Sequence, residues 1–362
     1  MQNENFVLIE GKRFHYSWLR DNSPQSYHAK SLRKIYDISD RTSPPKPLSI
    51  QEQDDKLIIE WDETPPHRSI FSISWLLTHA YDPQPQTFDQ EVILWDKAWL
   101  AANPQKKYDS SCDPQTWMSQ LFTLGFVIIE NIASENLESF ISSLGPIILN
   151  EDGEKFYTVK DIPTGEKRSY LTGAALEPHN AFSSWECFPL AKFLYCVQNE
   201  TSGGKSLLVD SFRIAQDFRQ NHPDYFQILT KVPAPFWRIE RNHQYIFFHK
   251  RPIIELNQNG EIAEVRFHHE QNFLPSLPFN QMEEFYQAYS SFHRYLKNPD
   301  YQYNFRLKPG ECQVIQNSRV MHGRSAYEPT SGTRQLRAAY VNWNYLVGRR
   351  NFYQYKFKLR FE

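Results

Sequence analysis

Strand-like runs and proline-rich breaks dominate the first part of the chain. Residues 6–9 (FVLI) and 56–61 (KLIIEW) combine β-branched and aromatic residues at strand length. Proline pairs at 44–45 and 65–66 interrupt the pattern, since proline cannot continue a strand ladder. The pattern predicts a small antiparallel, β-rich N-terminal domain over residues 1–95, whose strands end near Pro83.

The remainder predicts a mainly β domain with flanking helices over residues 105–362. Apolar residues recur at helical spacing in 116–124, and 126–129 (FVII) has the composition of a buried strand. Short strands follow, with helix-period segments at 212–221 and 281–296. Many short strands with few long helices are typical of a double-stranded β-helix, or jelly roll, whose open end can hold a metal.

Composition excludes several classes of protein. The 362 residues are 40% hydrophobic and 15% aromatic, with a net charge of −2, so neither nucleic acid nor an anionic membrane is an expected partner. No apolar run approaches the roughly 20 residues of a membrane span, and the N-terminus lacks a signal peptide pattern. We therefore expect a cytoplasmic protein. The four cysteines have no metal-ligand spacing, so buried, reduced thiols are expected.

Candidate metal chemistry rests on two distant histidines. His179 lies in HNA at 179–181, and His322 lies in NSRVMHGR at 317–324, followed by Arg334. An early and a late histidine resemble the ligands of a non-haem iron site, in which a following arginine holds a carboxylate of 2-oxoglutarate. In such sites the third ligand is an aspartate or glutamate two residues after the first histidine (His-x-Asp or His-x-Glu). In this chain that position holds Ala181.

Residues from about 170 to 343 resemble the catalytic domain of the gamma-butyrobetaine and trimethyllysine hydroxylases, within the taurine dioxygenase-like class. The matching segments are YLTG (170–173), TSGG (201–204), VDSF (209–212), KPGE (308–311), HGRSAY (322–327) and AYVNW (339–343). The resemblance implies Fe(II), 2-oxoglutarate and O2 as cofactors, His179 and His322 as metal ligands and Arg334 as the cosubstrate anchor, with Arg324 and Arg337 as nearby decoys. It also implies a homodimer.

Two upstream segments resemble the zinc-binding domain of those hydroxylases. They are FHYSWLRDN at 14–22 and SISWLLTH at 72–79. The family's zinc cysteines are absent from the following loop, SPQSYH at 23–28, and only His79 stands at a family ligand position. Histidines without thiolates make a poor structural zinc site. We expect this domain to fold without zinc, held by packing alone.

The missing carboxylate leads to three hypotheses. The related halogenases carry Ala or Gly at this position, so the resemblance indicates a halogenase in which chloride or bromide fills the open coordination position beside Ala181. The second hypothesis is a hydroxylase in which water or Glu177 completes the site, because residues two apart on a regular strand share a face. The third is a non-catalytic relative that binds a ligand in the old pocket.

The resemblance also indicates the substrate region. Tyr157, Tyr170, Phe182 and Tyr340 fall near the positions where related hydroxylases cage a trimethylammonium group through cation–π attraction. His268, in the dense HHE segment at 268–270, falls where substrate contacts are expected. The predicted substrate is a small amine- or amino-acid-like molecule with an aliphatic C–H bond, either free or tethered to a carrier protein.

Overall fold

A computed structural model describes residues 3–31, 33–83, 91–160, 171–186, 190–271 and 275–355. The chain divides into two compact units, Met1–Asp89 with Asn351–Glu362, and Gln90–Arg350. The predicted domain bounds, 1–95 and 105–362, differ from this division because the last residues group with the smaller unit.

The smaller unit contains two antiparallel sheets, β1-β2 and β3-β4-β5. Two of its strands, β1 and β4, have the bounds expected from the sequence. The elements within residues 3–83 are β1 (Phe6–Ile9), β2 (Lys12–His15), α1 (Tyr16–Asp21), β3 (Pro47–Gln53), β4 (Lys56–Trp61), β5 (His67–Ser72) and α2 (Ile73–Thr78).

Buried polar contacts, and not packing alone, hold the loop where the family's cysteines are absent. Arg20 donates to both carboxylate oxygens of Glu63, at 2.8 Å each, and to Ser26 Oγ at 2.9 Å. The Ser69 hydroxyl donates to Ser23 Oγ at 2.7 Å. The expectation that packing alone holds this domain is therefore wrong. His79 stacks on the Trp75 ring with centroids 4.2 Å apart.

Two sheets form the core of the larger unit, in agreement with the predicted jelly roll. The six-stranded sheet has the order β6-β7-β17-β10-β19-β8, and the four-stranded sheet has the order β16-β11-β18-β9. Two hairpins, β12-β13 and β14-β15, extend from this core. The strands are β6 (Tyr108–Asp109), β7 (Phe126–Glu130), β8 (Tyr157–Lys160), β9 (Leu176–His179), β10 (Leu190–Asn199), β11 (Ser206–Asp210), β12 (Ala234–Glu240), β13 (Tyr245–Arg251), β14 (Ile254–Leu256), β15 (Ile262–Val265), β16 (Gln302–Phe305), β17 (Cys312–Gln316), β18 (Val320–Arg324) and β19 (Arg334–Asn342).

The helices expected at 116–124, 212–221 and 281–296 are present as α4, α6 and α8. None of the described helices is long and apolar enough to cross a membrane. The helices after residue 90 are α3 (Lys97–Ala102), α4 (Pro114–Leu124), α5 (Leu137–Leu144), α6 (Ser211–Asn221), α7 (Pro223–Lys231), α8 (Phe279–Lys297) and α9 (Trp343–Tyr355).

A buried ion pair fixes the turn that leads into β18. The Arg319 and Asp210 side chains are at most 1% exposed and lie 2.8 Å apart. Arg319 also donates to the carbonyl oxygens of Thr123 and Ile93, at 2.8 and 2.6 Å. Asp210 accepts from the backbone N–H of Phe212 and so caps α6. One pair thus joins β11, α6 and the β17–β18 turn.

We predict that Asp210→Ala lowers the free energy of unfolding by about 3–5 kcal/mol, because it leaves a buried guanidinium without its counter-charge. Urea unfolding followed by tryptophan fluorescence measures this change. The exposed Lys155–Glu138 pair provides the control, since Glu138→Ala is expected to change stability by about 1 kcal/mol at most. Equal effects of the two substitutions would contradict the role given to Asp210.

Candidate active site

A cavity of about 400 Å³ lies between the two sheets of the larger unit. The six-stranded sheet contributes alternate residues of β8, β10 and β19, and the four-stranded sheet contributes residues of β9, β11 and β18. The residues that line it are Tyr157, Val159, Leu176, His179, Ala181, Phe182, Lys192, Leu194, Ser206, Arg238, Ile239, Glu240, His268, Glu270, Gln271, His322, Gly323, Arg324, Arg334, Leu336, Ala338 and Tyr340.

His179 and His322 are cross-strand partners on β9 and β18, with ring centroids 4.4 Å apart. His179 Nδ1 lies 2.8 Å from the Glu177 carbonyl oxygen, so Nδ1 carries the proton and Nε2 is available to a metal. His322 Nδ1 is buried and has no hydrogen-bond partner in the described structure. Burial, reinforced by the Lys192 charge, lowers the pKa of His179 to about 4 and also lowers the pKa of His322. Both rings are therefore neutral at pH 7, as metal ligands require.

The third ligand position carries no carboxylate. Ala181 borders the cavity, and the Asn317 side chain makes two hydrogen bonds to the Ala181 backbone. Ala181 N donates to Asn317 Oδ1 at 2.9 Å, and Asn317 Nδ2 donates to Ala181 O at 2.8 Å. No third His, Cys, Asp or Glu of the described residues brings a ligand atom within 4.8 Å of both histidines. The arrangement fits a two-histidine iron centre with an additional open position.

Glu177 does not reach this open position. Its carboxylate contacts His293 Nε2 at 2.9 Å and Lys297 Nζ at 2.5 Å on α8. The pairing of β9 with β18 has a register shift between His322 and Arg324, so Glu177 and His179 do not lie on one face of a regular strand. Gly323 permits the shift, because a Cβ at this residue would lie 2.5 Å from the Leu176 carbonyl oxygen.

Arg334 provides a buried cation that also borders the cavity. Its Nε and Nη1 atoms are buried without a partner in the described residues, and burial lowers the pKa of Arg334 to about 10. Gly204 makes room for it, since a Cβ there would approach Arg334 Nε to 3.1 Å. A guanidinium with free donors fits one carboxylate of 2-oxoglutarate. Arg324 also borders the cavity, but its Nη2 donates to the Thr172 and Ala174 carbonyl oxygens. Arg337 lies over the Phe156 ring.

Asn180 connects the segments that carry the site residues. It is fully buried, and its Nδ2 donates to the Asn317 carbonyl oxygen at 2.5 Å. Its Oδ1 accepts from Phe267 N at 2.8 Å, and its own N–H donates to Phe267 O at 2.9 Å. Because Phe267 precedes His268 and Asn317 precedes the β18 strand of His322, this amide sets the positions of three histidines.

Three predicted substrate residues form an aromatic group at one end of the cavity. The ring centroids of Phe182 and Tyr340 are 4.6 Å apart, and Tyr157 lies 5.8 Å from Tyr340. The Arg238 guanidinium lies 5.4 Å from the Phe182 ring, so the protein supplies a cation of its own here. Tyr170 lies outside the described residues.

His268 borders the same cavity, with its ring centroid 4.6 Å from that of His179. Burial lowers the pKa of His268. The structure therefore brings His179, His268 and His322 together, with His179 between the other two.

Sequence reasoning missed Lys192, Ser206 and Arg238, all of which border the cavity. Only Lys192 had a usable signal, as a lone charge within the apolar run LAKFLYC at 190–196. Ser206 and Arg238 have no local feature that distinguishes them from other polar strand residues.

Comparison with known proteins identifies the family. Residues 97–340 match the family described as "Taurine catabolism dioxygenase TauD, TfdA family". The chain belongs to this family. It is therefore a member of a family of Fe(II)/2-oxoglutarate-dependent dioxygenases, as the matching segments of the sequence indicated. A jelly-roll core is expected of this family.

Two curated relatives extend over most of the chain. The gamma-butyrobetaine dioxygenase of Pseudomonas sp. (strain AK-1) is 27% identical over 358 residues, which cover 93% of this chain and 89% of the relative. The human mitochondrial trimethyllysine dioxygenase is 27% identical over 350 residues, covering 91% and 80%. A solved structure of AAD-2 in complex with Mn(II) and N-oxalylglycine has a TM-score of 0.52 at 13% identity and covers 66% of this chain and 93% of its own, which supports the fold.

Arg334→Lys is expected to weaken 2-oxoglutarate binding by about tenfold or more, because an ammonium offers a point charge without the two-pronged guanidinium geometry. Arg334→Ala should weaken it further. Anaerobic titration calorimetry with Co(II)-loaded protein measures both, and Arg337→Lys is the matched control. Parental affinity in both Arg334 variants would show that another residue anchors the cosubstrate.

Asn180→Ala is expected to lower the free energy of unfolding by about 1–3 kcal/mol, because it leaves the buried Phe267 N–H without an acceptor. It should also weaken Co(II) binding, since the His179 and His322 segments lose their common connection. Urea unfolding and metal titration test the two effects. Asn103→Ala, at an exposed residue, is the control. Parental metal affinity in Asn180→Ala would show that Asn180 does not position the metal-binding histidines.

Proposed function

We propose that the protein is an Fe(II)/2-oxoglutarate-dependent halogenase that acts on an aliphatic C–H bond of a small amine- or amino-acid-like substrate. The observation that carries this proposal is the open position at Ala181, next to two neutral histidines, which no carboxylate of the described residues reaches. A halide is an anion of suitable size to occupy the place of a carboxylate oxygen. Alanine leaves that place sterically free.

Fe(II) with 2-oxoglutarate and O2 supplies the oxidant that removes a hydrogen atom from the substrate. The overall change balances as R–H, halide, H⁺, 2-oxoglutarate and O2 giving R–halogen, succinate, CO2 and water. The chain's own residues position the participants. His179 and His322 hold the metal, Arg334 holds the distal carboxylate of the cosubstrate, and the cavity keeps the substrate close to the open position.

Two carboxylates that border the cavity support an amine as the substrate. Glu240 and Glu270 border it, beside the aromatic group of Tyr157, Phe182 and Tyr340. Arg238 pairs with Glu240 and with Glu151, at 2.6 and 2.7 Å, so these three groups together carry one net negative charge. The two curated relatives described above are named for gamma-butyrobetaine and trimethyllysine, which makes these amines the first substrates to test.

Hydroxylation is the second candidate function. The names of both relatives, which align over most of the chain, favour it. In this case water completes the metal site and the product gains oxygen from O2. The two candidates differ in their need for halide, because hydroxylation of the same substrate would proceed equally well in chloride-free buffer.

We predict that Ala181→Asp abolishes the halogenated product, because a tethered carboxylate competes for the halide's position. Ala181→Gly is the matched control and should retain halogenation, since it keeps the position open. Mass spectrometry of products made in chloride and then in bromide measures the outcome with gamma-butyrobetaine, trimethyllysine and a panel of free amino acids. A substrate that the wild type oxidises without halogenation in either salt would establish hydroxylation instead.

A further inference from the structure

Lys192 is a charged residue in the interior of the larger unit. It lies on β10, next to the fully buried Ala191 and Phe193, and only 7% of its surface is exposed. Burial lowers the pKa of its ammonium to about 7. A buried charge is costly unless a partner neutralises it, so this residue requires an explanation.

The side chain faces the cavity and not the back of the sheet. Lys192 and Leu194 both border the cavity, as expected for residues two apart on one strand. The cross-strand partners of these two residues on β19 are Tyr340 and Ala338, which also border it. Lys192 therefore belongs to the wall opposite the β9 and β18 strands of His179 and His322.

The ammonium shares one cavity with both metal-binding histidines and with Ala181. Ala181 packs against a cluster that contains Leu190 and Tyr340. Leu190 lies two residues before Lys192 on β10, and Tyr340 is the cross-strand partner of Lys192. In agreement with this placement, the Lys192 charge lowers the pKa of His179 and of His322.

No carboxylate of the described residues pairs with Lys192. The buried Arg319 has such a partner in Asp210, and the half-buried Arg238 pairs with Glu151 and Glu240. Arg324 donates to backbone carbonyl oxygens, and Arg334 is available to the cosubstrate. The lack of a protein counter-charge beside an open ligand position points to an anion from solution.

A comparison of charges describes that anion. Fe(II) and the two carboxylates of 2-oxoglutarate cancel, both histidines are neutral, and Lys192, Arg324 and Arg334 are cations that border the cavity. Compared with a centre that has an aspartate at position 181, the centre with alanine has one more positive charge. One small monovalent anion would restore the missing negative charge and fill the open position together.

We propose that Lys192 and the space beside Ala181 form a halide-binding subsite, in which the ammonium holds the chloride or bromide that completes the metal centre. This inference rests on the proposed halogenase function and names the residue that gives the centre its halide affinity. Lys192 is a binding residue for the halide and does not take part in anchoring the distal carboxylate of 2-oxoglutarate.

Anaerobic chloride titration of the Fe(II)- and 2-oxoglutarate-loaded protein tests the proposal, with the visible charge-transfer band as the readout. Ionic strength is held constant with sodium gluconate. Lys192→Met should weaken chloride binding by about tenfold or more, because it removes a charge-assisted contact. Lys192→Arg should bind chloride more tightly than Lys192→Met. Lys155→Met, at an exposed lysine outside the cavity, is the matched control and should bind chloride as the wild type does.

The outcomes separate this inference from the proposed function. Wild-type chloride affinity in Lys192→Met, or equal affinity in the Met and Arg variants, would overturn the subsite while the halogenase proposal stands. Loss of 2-oxoglutarate affinity in Lys192→Met with unchanged chloride affinity would assign Lys192 to the cosubstrate and also overturn it. A wild-type protein that binds Fe(II) and 2-oxoglutarate but shows no chloride-dependent shift would overturn the halogenase proposal and the subsite together.

Discussion

The buried amide of Asn180 is the contact on which the active-site geometry depends. Three chain segments far apart in sequence each hold one histidine of the cavity, and hydrogen bonds to this side chain and its backbone join them. An amide suits this position because it both donates and accepts, whereas a carboxylate would only accept. The residue between His179 and Ala181 is thus as important for the geometry as either neighbour.

The cavity is lined by charges of both signs. Its cations are Lys192, Arg238, Arg324 and Arg334, and its carboxylates are Glu240 and Glu270. Lys192 is the cross-strand partner of Tyr340, so a cation and part of the aromatic group share one wall. The cavity thus offers an opposite charge both to the carboxylates of 2-oxoglutarate and to an amine.

The sequence predicted the jelly roll through local patterns of apolar residues. Strand and helix periods predicted α4, α6 and α8, whereas the shorter α5 and α7 were not predicted. His179, His322 and Arg334 were found through segments that resemble a family. The position of Glu177 was unpredictable, because it depends on a register shift between two strands that only the folded sheet defines. Lys192 was visible as a charge in an apolar run, but its direction depends on which face of β10 lines the cavity.

The hydrogen bond from His179 to the Glu177 carbonyl oxygen has a consequence for how this centre can change during evolution. The partner that fixes the tautomer and basicity of a metal-bound histidine is often a carboxylate side chain, which substitution can remove or replace. Here the partner is the main chain, and every amino acid supplies the same carbonyl. The donor strength of His179 is therefore insulated from point mutations at its partner.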